Sequence, residues 1–102
     1  MSIVECLITR RESSFLVRIS GDSMTDAGIM EGDMAIAEEG RDPRSGDIVL
    51  VEVDGEWTMR HFLRKGEKVF LEAANSKYPA AKPKGELRLG GIITAVIRKY
   101  HL

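Results

Sequence analysis

Apolar and polar residues along most of this chain alternate with the period of a β-strand rather than of a helix. Residues 14–19 set Phe15, Val17 and Ile19 against Leu16 and Arg18. A tight turn at Glu31-Gly32-Asp33 leads into residues 34–37, which predict a second strand. Residues 48–53 are apolar on both faces, as an interior strand is. Asp54-Gly55 is a strong two-residue hairpin signal and leads into a strand over 56–62. Lys65-Gly66-Glu67 turns the chain again into residues 69–72. Residues 87–89 predict a short strand, and Gly90-Gly91 opens the last one, 92–100. Only residues 3–9, apolar on one helical face, predict a short helix.

The remainder reads as connection: a polar link at 10–13, a charged loop at 38–45, and a loop at 73–83 holding Asn75-Ser76, Pro79 and Pro83. Many short strands, glycine turns and almost no helix imply a mainly β fold, a compact coiled antiparallel domain. We divide it into an N-terminal arm or short helix over 1–13 and a β-domain over 14–102. The expected core is Val17, Ile19, Ile36, Val49, Val51, Phe70, Leu71, Ile93 and Val96, with Trp57 at least partly buried. Residues 92–97, apolar on both faces at the end of the chain, predict an open edge that pairs with a second copy in a homodimer. The apolar segment 3–8 is a second candidate surface.

Composition narrows the classes. The chain has 102 residues, 43% hydrophobic and 30% charged, the range of one soluble globular domain. Its 15 basic and 16 acidic residues leave a net charge of -1, so direct nucleic-acid binding is not expected. No apolar run reaches the length of a membrane span and no signal peptide is visible, so no membrane partner is expected. The single cysteine, Cys6, has no internal partner and fits a reducing cytoplasm. Beside Leu7 and Ile8 it reads as a small buried hydrophobe. Nothing in the pattern calls for a cofactor or a metal.

The candidate chemistry sits at Ser20-Gly21-Asp22-Ser23-Met24. A strand that ends in glycine can present the next side chain on an exposed tight turn, where a nucleophilic serine would stand. Asp22 and Ser23 are equally good caps for a short helical turn. A serine nucleophile needs a base, and a lysine held neutral by burial is one option. The strand after Asp54-Gly55 is where such a lysine would lie.

In order along the chain stand Gly21-Asp22-Ser23-Met24, Gly32-Asp33, Gly46-Asp47-Ile48-Val49, Asp54-Gly55-Glu56-Trp57-Thr58, Asn75-Ser76 near Pro79, and a closing strand over 91–100. This ordered set, spanning nearly the whole chain, resembles the LexA/UmuD-like serine/lysine (S24) peptidase domains, and among them the processed UmuD form (UmuD′). The resemblance implies a coiled β-fold, self-cleavage at a small-residue–Gly bond and a role in the DNA-damage (SOS) response. It also implies a homodimer and, as partners, an error-prone translesion DNA polymerase and other SOS-response proteins. It makes Ser23 the nucleophile position, Met24 the residue after it and Thr58 a supporting hydrogen-bond group.

The chain departs from that pattern twice. The family's general-base lysine lies two residues past the hairpin threonine, which here is Arg60. A guanidinium cannot give up its proton at any useful pH, so it cannot take one from Ser23. His61 is next door but on the opposite strand face. Lys65 and Lys68 read as solvated, and Asp22 and Asp26 as turn caps. Upstream of Ser23, Cys6 precedes Leu7 and the first glycine is Gly21, so no cleavable bond is expected in cis. No helix-turn-helix domain fits there either, so the chain reads as the already-shortened form or as a piece lacking its arm. Three functions follow: an accessory protein with an impaired peptidase site, an active serine/lysine peptidase, or the C-terminal part of a LexA-type or phage repressor.

Overall fold

The computed structural model describes residues 2–79 and 88–100. Helix α1 (Ile3–Leu7) is capped by Ser2, whose Oγ accepts from the Glu5 amide at 3.0 Å. Six strands follow: β1 (Ser14–Arg18), β2 (Met34–Glu38), β3 (Ile48–Val53), β4 (Glu56–Lys65), β5 (Lys68–Glu72) and β6 (Leu89–Ile97). They form one antiparallel sheet in the order β1-β2-β6-β3-β4-β5. The fold is therefore the mainly β, helix-poor architecture that the alternation predicts. The β3–β4 hairpin turns at Asp54 and Gly55, both at positive φ (52° and 83°), the geometry that suits the twist of paired strands.

The order of the strands corrects one expectation. The last strand is not an edge: β6 lies between β2 and β3. A segment apolar on both faces is what an interior strand needs, so the pattern that looked like a hazard is the signature of burial. Gly90 and Gly91, expected to open the last strand at 92, lie inside β6, which begins at Leu89. A Cβ on Gly90 would come within 3.0 Å of Leu50 Cδ2 and 3.1 Å of Trp57 Cζ3, and one on Gly91 within 3.1 Å of the Glu38 carbonyl oxygen. The two glycines let the neighbours close over the strand. Of the predicted short strand at 87–89, Leu89 is the first residue of β6 and Leu87 lies outside the described residues. The strand stops at Ile97, so Tyr100 is not part of it and is exposed.

The core has two clusters, one built largely from the segment between β1 and β2 and the other from the strands. Ile19, Met24, Ile29, Ala35 and Met59 form one, with Ile48, Leu50 and Ile93 packed against it. Val49, Val51, Phe62, Leu71 and Ile92 form the other. Ile36 is buried as expected, while Val17 and Phe70 are only half-buried. Val96 is exposed, because it follows the central paired part of β6 toward the strand's free end. Trp57 stays 50% exposed, covering Gly90 with one edge and facing the groove described below with the rest. Cys6 is exposed on α1 rather than buried.

Candidate functional site

β5 pairs with β4 only over residues 61–65 of β4, so the first half of that strand has a free side. The turn carrying Ser23 lies along it. Gly21 takes a positive φ of 89°, which reverses the chain after Ile19. Met24 then enters the core at 2% exposure and pins the turn. The Ser23 hydroxyl donates to the Met59 carbonyl of β4 at 3.3 Å. Arg60 Nη1 donates to the same carbonyl at 2.8 Å and to Thr58 Oγ1 at 2.8 Å. Ser23 and Arg60 thus share one main-chain acceptor, and Thr58 holds the guanidinium from the same strand face. Partial burial pushes the Arg60 guanidinium below its ordinary range, and its Cζ lies 5.5 Å from the centroid of the Tyr78 ring.

The capping roles are corrected. The 3-10 turn Thr25–Ala27 has Met24 at its N-cap and no side-chain cap. Ser23 is therefore not a cap, and its hydroxyl belongs to the β4 contact. Asp22 is not a cap either: its carboxylate accepts from Tyr78 Oη at 2.6 Å and pairs with Lys77. Those two bonds, Lys77 first, hold the Asp22 carboxyl below the usual carboxylate range, and in return Lys77 and Tyr78 are both raised. Asp26 is exposed, and its amide, not its carboxylate, meets the Ala74 carbonyl at 2.7 Å. The other possible bases are elsewhere. His61 faces Ile48 and Glu72 in the fully paired part of β4, and Lys65 and Lys68 lie opposite one another at the end of the β4–β5 hairpin.

The surface between the turn and β4 is a groove of about 640 Å³ lined by Ser20–Ser23, Val53, Asp54, Glu56, Trp57, Thr58, Arg60 and Tyr78. Beside Ser23 a smaller cavity of about 70 Å³ opens, with apolar walls from Val17, Ile19, Met24, Leu50, Trp57 and Met59 and a polar rim from Arg18, Ser20, Ser23 and Thr58. A hydroxyl, a fixed cation and a small apolar cavity at one end of an open groove suit an extended peptide.

A family model described as Peptidase S24-like matches residues 1–94. The chain belongs to this family. It is 39% identical to a LexA repressor of Verrucomicrobium spinosum over 92% of its own length and 46% of the repressor's. A LexA repressor of Shewanella piezotolerans is 36% identical over 93% of the chain and 48% of the relative. Protein SamA of Salmonella typhimurium is 38% identical over 90% of the chain and 64% of the relative. The chain spans about half the length of these repressors.

Within this LexA/UmuD-like S24 domain, sequence reasoning left part of the site's frame unseen. Asn75 donates to the Asp22 carbonyl at 2.9 Å and to Thr25 Oγ1 at 3.3 Å, tying the loop after β5 to both sides of Ser23. Its only signal was the Asn75-Ser76 pair, without a stated role. Tyr78 and Lys77 carried no signal, because their partner Asp22 is distant in sequence. Among the described residues no helix is long and apolar enough to cross a membrane.

Proposed function

We propose that this chain is a UmuD′-like accessory protein of the SOS response, which binds a second copy of itself and an error-prone translesion DNA polymerase. On this reading the peptidase machinery is impaired: Ser23 keeps the nucleophile position, Thr58 and Met24 support it, and Arg60 occupies the place of the general-base lysine. The single observation that carries the reading is the shared acceptor. The Ser23 hydroxyl and the Arg60 guanidinium both donate to the Met59 carbonyl, so among the described residues the hydroxyl has a main-chain oxygen and a fixed cation beside it and no base. Binding is then the function left to the domain. For self-association the β6 edge is no longer a candidate, while Ile3 and Val4 on α1 and Leu16 on the edge strand β1 are exposed apolar surface.

The test offers a peptide with an Ala-Gly or Cys-Gly bond in trans, from neutral to alkaline pH, to the chain and to Arg60→Lys. Cleavage by the lysine variant alone is the expected result. Ser23-dependent cleavage by the unmodified chain would make this an active peptidase and overturn the reading. Co-purification with a translesion polymerase tests the partner separately. A second reading, part of a repressor, is favoured by the LexA relatives, of which the chain covers under half. Specific operator binding by the product of the full reading frame would establish it.

A further inference from the structure

Arg60 is half-buried, and among the described residues it makes no ion pair. Its printed bonds use one nitrogen, Nη1, and two neutral acceptors, Thr58 Oγ1 and the Met59 carbonyl. A guanidinium has five N–H donors in a planar fork that fits a carboxylate. Here the Nε and Nη2 donors have no protein acceptor among the described residues. The nearest carboxylate on the same groove wall, Asp22, is already engaged by Lys77 and Tyr78. The other acids lining the groove, Asp54 and Glu56, stand at the exposed hairpin end of β4. Beside Arg60 is the Ser23 hydroxyl, held by a long 3.3 Å bond that a better acceptor would outcompete. Next to Ser23 is the 70 Å³ cavity, whose apolar walls are Val17, Ile19, Met24, Leu50 and Met59, large enough for a small aliphatic side chain and too small for a long one.

We propose that this groove is a binding site for the free C-terminal carboxylate of an extended peptide that ends in a small aliphatic residue. The carboxylate takes the fork of Arg60 and the Ser23 hydroxyl. The terminal side chain enters the cavity between Val17, Met24, Leu50 and Met59, and the preceding residues run along Trp57. No bond is made or broken. A terminal carboxylate is favoured over an acidic side chain because the cavity and the groove that holds Arg60 share Ser23, Trp57 and Thr58, a short spacing that a terminal residue meets through its own α-carbon. The inference stands on an Arg60 without a charge partner among the described residues and on the shape of the groove, and needs neither the polymerase partner nor a nucleophilic Ser23.

The protein carries its own reporter, since its one tryptophan, Trp57, lines both the groove and the cavity. Three acetylated peptides are titrated against the unmodified chain at low salt, with Trp57 fluorescence as the signal and calorimetry as the check. They are an Ala-terminated free acid, the same peptide as its C-terminal amide, and an amide whose last residue is Glu. The acid is expected to bind at least about tenfold more tightly than either amide, the effect of one charge-assisted pair. Arg60→Gln, shown folded by its circular-dichroism spectrum, is expected to bring the acid down to the affinity of the amide. Equal affinities for acid and Ala amide in the unmodified chain, including no binding of either, would overturn the proposal without recourse to any variant. A Glu amide as tight as the acid would overturn the assignment to a chain terminus.

Discussion

Arg98 meets a buried carboxylate, whereas Arg60 meets only neutral oxygens. Asp33 is 2% exposed, and its two carboxylate oxygens take Arg98 Nε and Nη2 at 2.8 Å each. The Met30 amide adds a third bond at 2.9 Å, and Arg98 Nη2 reaches on to the Gly28 carbonyl at 2.6 Å. That brace ties the end of β6 to the turn before β2 and to the 3-10 segment that follows Ser23. Around Arg60 no carboxylate is supplied by the described residues, although Asp22 stands on the same groove. The contrast separates two uses of one side chain. A guanidinium whose fork is filled by the protein holds the fold together, and one whose fork is left open in a groove is there for something that arrives.

The largest expected effect comes from breaking the filled pair. Arg98→Met leaves Asp33 buried with one amide partner, and a buried charge stripped of its counter-ion is strongly destabilising. We expect the melting temperature near neutral pH to fall by about 5–10 °C, read by circular dichroism. Arg98 and the Met30 amide hold the Asp33 carboxyl below its ordinary 3.8 in the folded state. A depressed pKa contributes stability that is present above the ordinary value and is lost as pH falls through the folded one. The gap between the two proteins therefore narrows on acidification below pH 3.8. A variant that melts with the unmodified protein at neutral pH would show that the brace carries no stability.

A smaller effect is expected at the unfilled fork. Arg60→Met removes a partly desolvated cation that has no charge partner and keeps most of its length. The melting temperature should hold within about 3 °C or rise, since replacing an uncompensated charge by an apolar side chain costs little. A loss as large as that for Arg98→Met would erase the distinction between the two arginines. The smallest effect concerns what keeps Asp22 away from Arg60. The Asp22 carboxylate raises the Tyr78 phenol above its ordinary 10.0, so Asp22→Asn should return it toward that value. Ultraviolet titration reads this against Tyr100, the other tyrosine, with Tyr78→Phe to assign the step. An unmoved Tyr78 would mean that Asp22 is free to neutralise Arg60.

The strands were legible because alternation is local. β1, β2, β3 and the β3–β4 hairpin follow from neighbours a few residues apart, and Asp54-Gly55 takes the backbone geometry its residue types prefer. The candidate site was legible as far as single positions go: Ser23 on its glycine turn, Arg60 and Thr58 on one strand face. It was not legible as an arrangement. Whether Ser23 caps a turn or contacts β4 depends on a carbonyl 36 residues away, and Asn75 and Tyr78 reach Asp22 across more than 50 residues. No local propensity encodes such contacts. Trp57 was expected to pack as large aromatics do, but a free side of β4 and an open groove leave half of it in solvent.

By itself the sequence determined the β-rich class, the extent of most strands and one point of chemistry. An arginine at position 60 keeps its proton wherever the fold puts it, because guanidinium basicity far exceeds what burial removes. Only the tertiary structure decided that β6 sits inside the sheet. Two apolar faces are compatible with an exposed edge or with burial on both sides, and the choice rests on what β2 and β3 bring to meet it. Packing against Leu50, Trp57 and the Glu38 backbone is possible there because Gly90 and Gly91 have no side chain to exclude them. It also decided that Arg98 is satisfied and Arg60 is not. The two side chains are chemically the same, and the difference lies in whether folding carries a carboxylate into reach.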